Sequence, residues 1–203
     1  MAIIAENKGG TFEPMPSGNY VARCYSMIQI GTVEEEYEGQ KKKTSKVRLS
    51  FEFPTELKVF KEELGEQPFA LSKEYTLSMH EKASLRKDLE NWRGQAFTEA
   101  EAKSFDVSNL IGKSCMINVI HKVDSQGTMR AKISSISTMP KGLQAPAQIN
   151  PTQLLSYDNF DYKLFETLPE YLRKKIESTP EYLAMENKES VKQVIDSNDS
   201  LPF

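Results

Sequence analysis

From Val47 to Phe53 the chain alternates strictly. Val47, Leu49, Phe51 and Phe53 are apolar, and Arg48, Ser50 and Glu52 between them are polar. Successive side chains of a strand point to opposite faces, so this run specifies a strand with one face buried and one wet. One such strand needs sheet neighbours and a covering layer. Pro54 is expected to end it. The neighbours are legible in the same way. Tyr20 to Ile30 is rich in β-branched and aromatic residues and reads as a long strand. Phe69 to Met79 carries Phe69, Leu71, Tyr75, Leu77 and Met79 in period two. Ser114 to Val123 places Cys115, Ile117, Val119, His121 and Val123 on one side. A turn of Asp124, Ser125, Gln126 and Gly127 then leads into a last strand from Met129 to Met139.

Helices are expected between the third and fourth strands. Ser78 and Glu81 have capping-box spacing, Leu85, Leu89 and Trp92 share a helical face, and Gly94 is a natural stop. Thr98 and Glu101 repeat the box before a shorter helix ending near Phe105. Trp92 reads as core, because it lies on the apolar stripe. The fold class is therefore mainly β with inserted helices. The element order resembles that of the OB-fold, a Greek-key β-barrel that binds oligonucleotides. That core spans residues 18–140, preceded by an N-terminal arm over 1–17 that Gly9, Gly10, Pro14 and Pro16 keep irregular.

After Pro140 the composition shifts. Gly142, Pro146, Asn150 and Pro151 mark a linker, and residues 141–185 read as linker plus helical extension. There Thr167 and Glu170 form a third capping-box pattern, and Leu168, Leu172 and Ile176 fall on one stripe. The tetrapeptide Pro-Glu-Tyr-Leu at 169–172 and 180–183 marks two similar helix starts. Residues 186–203 are polar and are expected to be a disordered acidic tail.

No apolar run approaches the ~20 residues that span a bilayer. The first residues lack a basic stretch followed by an apolar one, so a cytoplasmic location is expected. Cys24 and Cys115 sit in apolar runs and read as buried thiols. The chain carries only two histidines, His80 and His121, and no H-x-x-x-H or C-x-x-C spacing. It has neither a Walker-type glycine loop nor a G-x-S-x-G elbow. No enzyme activity, metal or cofactor is expected.

The net charge of −3 argues against nucleic acid when taken alone. Its distribution argues the other way. Lys41, Lys42, Lys43, Lys46 and Arg48 cluster after the acidic run Glu34, Glu35, Glu36 and Glu38. The stretch from Gly31 to Ser45 reads as a polar loop turning at Gly39. A single-strand binder needs a cationic groove and rings for bases to stack on. Tyr37, Arg23 and Tyr25 would join the lysines, with Lys73, Lys122, Arg130 and Lys132 adding charge. The competing reading is that the lysines and glutamates merely solvate a loop.

The chain closes with Asp196, Ser197, Asn198, Asp199, Ser200, Leu201, Pro202 and Phe203. This resembles the acidic tip of bacterial and phage single-stranded-DNA-binding proteins. The resemblance implies a partner-docking role for Asp196, Asp199, Leu201, Pro202 and Phe203. Only two aspartates precede the tip, fewer than in the typical tail. The stretch from Met79 to Gly94, then Phe97-Thr98 and Leu110-Ile111-Gly112-Lys113 with Cys115, is similar to a group of phage and prophage proteins. That similarity implies an OB-fold DNA-binding core. The function so implied is coating single-stranded DNA in phage replication or recombination, possible as a homo-oligomer, in the host-cell cytoplasm. The alternatives are a protein–protein adaptor without DNA affinity and, on the glutamate run alone, a Mg²⁺-dependent nuclease.

Overall fold

The computed structural model describes residues 13–37 and 39–187. The arm before residue 13 and the tail residues Asp196, Asp199, Leu201, Pro202 and Phe203 lie outside them. The strands are β1 (Gly18–Tyr37), β2 (Gln40–Val59), β3 (Glu66–Thr76), β4 (Ser114–Val123), β5 (Met129–Ser137) and β6 (Gln153–Leu155). They form one sheet in the order β3-β2-β1-β4-β5, antiparallel throughout, with β6 added parallel to β1. The helices are α1 (Ser84–Arg93), α2 (Glu99–Ser104), α3 (Tyr162–Thr167) and α4 (Glu170–Glu177), with helical backbone again over 180–187. The protein is thus mainly β, with helices inserted after β3 and at its C-terminal side.

The alternating run places Val47, Leu49, Phe51 and Phe53 in the main core, each at most 2 % exposed, but its other face is not wet as expected, since Ser50 and Glu52 are buried too. Cross-strand register sets Phe51 against Leu71 and Phe53 against Phe69. The sheet curls around these side chains. Its two end strands, β3 and β5, approach each other but share no ladder. Helix α1 spans that gap. Leu85, Leu89 and Trp92 enter the core, Asp88 accepts from the Tyr75 hydroxyl at 2.7 Å, and Trp92 Nε1 donates to the Ser114 carbonyl at 2.8 Å. Met15, ahead of β1, is also buried in the core. Both thiols are buried, and burial pushes Cys24 up to about 12.

A second apolar cluster lies on the other side of β1. Ile28 and Ile30 pack there with Leu155, Phe165, Leu168, Leu172 and Ile176. Each aliphatic side chain gains about 1.5–3 kcal/mol on burial, so residues 151–187 are held on the sheet by packing. The predicted stripe Leu168, Leu172 and Ile176 is the face that does this.

Four local expectations are corrected. The segment 31–45 is a two-stranded ribbon, with Glu34, Glu35 and Glu36 opposite Lys43, Lys42 and Lys41, closed by a tight turn in which Gly39 has φ +76°. Cross-strand opposite charges favour pairing where no apolar face does. Pro54 does not end β2, which runs on to Val59. It sits where the register with β3 shifts between Phe53 and Leu57, so the sheet tolerates its missing N–H. Helix α1 starts at Ser84 behind Ala83, and Ser78 instead accepts from the His80 amide in the preceding turn. Pro169 stands at the N-terminus of α4 without a side-chain cap, and Thr167 donates back to the Leu164 carbonyl. The capping box of Thr98 and Glu101 forms as expected, and Gly94 ends α1 with φ +76°.

Candidate nucleic-acid interface

Three regions hold the predicted cationic residues, and they differ in what each cation already touches. The ribbon carries the lysine run. Lys41 pairs with Glu34 at 2.9 Å and Lys46 with Glu35 at 2.6 Å. Lys42 and Lys43 are exposed and make no ion pair among the described residues. Three glutamates stand across from three lysines, so the ribbon is close to neutral as a unit. Tyr37 lies at its tip, on the last residue of β1.

The outer face of β2 and β3 carries Arg48, and it is not bare. Arg48 pairs with Glu74 at 3.3 Å and lies 5.7 Å from the centre of the Tyr171 ring. Lys175 of α4 reaches the other oxygen of Glu74 at 2.6 Å. Helix α4 therefore reaches over the Arg48–Glu74 end of this face, and Tyr25 beside it is half-buried, its hydroxyl raised mainly by desolvation. Lys73 is on the opposite parity, at 2.6 Å from Asp88.

Arg23 is committed to the chain itself. Its guanidinium donates to the carbonyls of Gly112, Ala145 and Pro146. Next to it, fully buried Glu52 accepts from the amides of Ile149 and Asn150 and from Asn150 Nδ2, each at 2.7 Å. Arg23 and Glu52 thus strap residues 145–150 across the sheet. Sequence spacing marked Arg23 as a contact because its parity and charge fit, but parity does not show what crosses the face.

The third region is the β4–β5 hairpin. Cys115, Ile117 and Val119 face the core, so Met116, Asn118, Ile120 and Lys122 face outward. Register places Lys122 beside Arg130 and Ile120 beside Lys132, with Asn118 and Met116 beside Ser135 and Ser137. Lys122, Arg130 and Lys132 are all exposed on one surface. The only acid among them is Asp124 in the turn. It accepts from the amides of Gln126 and Thr128, both at 2.9 Å, and from Arg130 Nε at 3.1 Å. The Thr128 amide, then Arg130, hold its carboxyl below the ordinary aspartate value. Asp124 is therefore a turn-forming group, and Lys122 and Lys132 keep no ion-pair partner among the described residues.

Among the described residues no aromatic side chain of the hairpin shares this face. The exposed rings of Phe60, Tyr162 and Tyr171 stand on other elements. His121 is tied down near the arm, with Nε2 at 2.8 Å from the Met15 carbonyl. Among the described residues no cluster of three or more metal-ligating side chains forms, and no helix is long and apolar enough to cross a membrane. No protein-family model matches the chain, and no curated protein matches it.

Proposed function

We propose that the protein binds single-stranded DNA through the outer face of the β4–β5 hairpin, on a barrel of the OB-fold type. The observation that carries this is the register that gathers Lys122, Arg130 and Lys132 on one exposed face with a single turn-bound acid. In the OB-fold the loop between strands four and five borders the oligonucleotide site. The strand order, the approach of β3 to β5 and the helix between β3 and β4 all favour that architecture. The resemblances at Met79–Gly94 and at the Leu201-Pro202-Phe203 tip supply the setting: phage replication or recombination, with partners recruited through the tip.

A second reading has its own observation. Arg48, Lys46 and Lys73 are ion-paired within the chain and so are not free for phosphates, which favours a protein–protein adaptor without DNA affinity. Titration of a fluorescent oligo-dT with the full chain and with the K122A/R130A/K132A variant separates the two. DNA binding predicts wild-type affinity that falls with salt and a variant that has lost most of it. The adaptor predicts no binding by either.

A further inference from the structure

The outer edges of the ribbon are open and oppositely charged. The amide of Thr32 turns away from β2, because it donates to Glu181 Oε2 at 2.9 Å. Its cross-strand partner Ser45 turns outward too, its carbonyl accepting from the Leu77 amide at 2.8 Å. Backbone groups alternate along a strand, so the next outward positions are Glu34 and Glu36 on β1 and Lys43 and Lys41 on β2. No hydrogen bond from another described segment reaches the amides or carbonyls of these four residues. Lys41 reaches across to Glu34 at 2.9 Å, while Glu36 and Lys43 have no ion pair among the described residues, so the ribbon presents one acidic and one basic edge, each with backbone donors and acceptors that no other described segment uses.

We infer that the acidic β1 edge of one copy pairs with the basic β2 edge of another, extending the sheet between molecules. An open edge is a template for strand addition. Charge decides which edges meet. Two β1 edges would set glutamate against glutamate and two β2 edges lysine against lysine, which cross-strand pairing disfavours. Only the unlike pair sets Glu34 and Glu36 against Lys41 and Lys43. That contact is heterologous, so it leaves both outer edges free and adds copies in a row. With two outward residues per edge it is weak and needs the charges. The inference does not rest on DNA binding and is read without DNA.

Sedimentation velocity of the full chain over a concentration series tests it. At low salt the average mass rises with concentration, and at 1 M salt, where the Debye length is about 3 Å, it returns to monomer. K41E/K43E and E34K/E36K each sediment as monomers alone and associate when mixed in equal amounts. K43P removes an outward N–H without touching the ribbon ladder, and it abolishes association even if the charge-reversed chains fail to fold. A wild type that stays monomeric at low salt overturns the inference. So does association that persists in K43P, or two folded charge-reversed variants that ignore each other.

Discussion

Glu52 shows how single residues hold this fold together. A fully buried carboxylate is tolerated only when its oxygens are satisfied, and here three donors from residues 149 and 150 do so. Glu52→Ala strands those donors and should cost about 3 kcal/mol in urea unfolding, with Glu52→Gln milder because one oxygen still accepts. An alanine variant as stable as wild type would refute the strap. Glu101 gives a pH signature. The Thr98 amide, then Arg93 and the Thr98 hydroxyl, hold its carboxyl down to about 2, from an ordinary value near 4.5. A depressed folded-state value contributes stability above the ordinary value and loses it as pH falls toward the folded one. The stability gap between wild type and Glu101→Gln should therefore shrink from pH 5 to pH 2. A gap independent of pH would contradict the capping role.

Among the elements, legibility followed hydrophobic period. β4 and the α1 stripe of Leu85, Leu89 and Trp92 each bury one face and are plain in the residue pattern, whereas β2, whose alternation reads as one wet face, buries Ser50 and Glu52 as well. The ribbon was hidden because both its faces are polar, so nothing in Glu34–Glu36 or Lys41–Lys43 alternates. The double burial of β1 left a signal that spacing arguments passed over. Met27 faces the main core while Ile28 and Ile30 face the second, so an apolar cluster marks a strand covered on both sides. Of the candidate site, charge marked the hairpin cations, and charge and parity together marked Arg23, Arg48 and Lys73. They could not show that Arg23, Arg48 and Lys73 are spent on internal partners distant in sequence. Gly31 is where the C-terminal extension meets the bulged β1. It has φ +101°, and a Cβ there would meet the Thr179 and Tyr157 hydroxyl oxygens at 2.9 Å. Gly31→Ala should loosen residues 151–187 while sparing the main core. Hydrogen exchange checks this: faster exchange in α4 with β4 unchanged is expected, and uniform behaviour of both would contradict it.

For the whole molecule, a net charge of −3 coexists with a local cationic face because the acids are placed elsewhere. Facing glutamates and lysines leave the ribbon near neutral as a unit, Glu74 holds Arg48 on the β2–β3 face, and the hairpin keeps Lys122 and Lys132 unpaired among the described residues. Binding should therefore depend on few phosphate contacts and be visibly salt-dependent. Each lost contact lowers the slope of log K against log salt by about 0.7 for a single strand. Arg48→Ala should leave that slope unchanged, since its guanidinium is held by Glu74 and Tyr171. The most direct measurement is oligo-dT affinity across a salt series for wild type, R48A and K122A/R130A/K132A. A negative slope is predicted for wild type and R48A alike, with the triple variant shallower by about 1.4, because Lys122 and Lys132 are the two hairpin cations without an ion-pair partner among the described residues. Binding that ignores salt, or a triple variant that binds as wild type does, would contradict it.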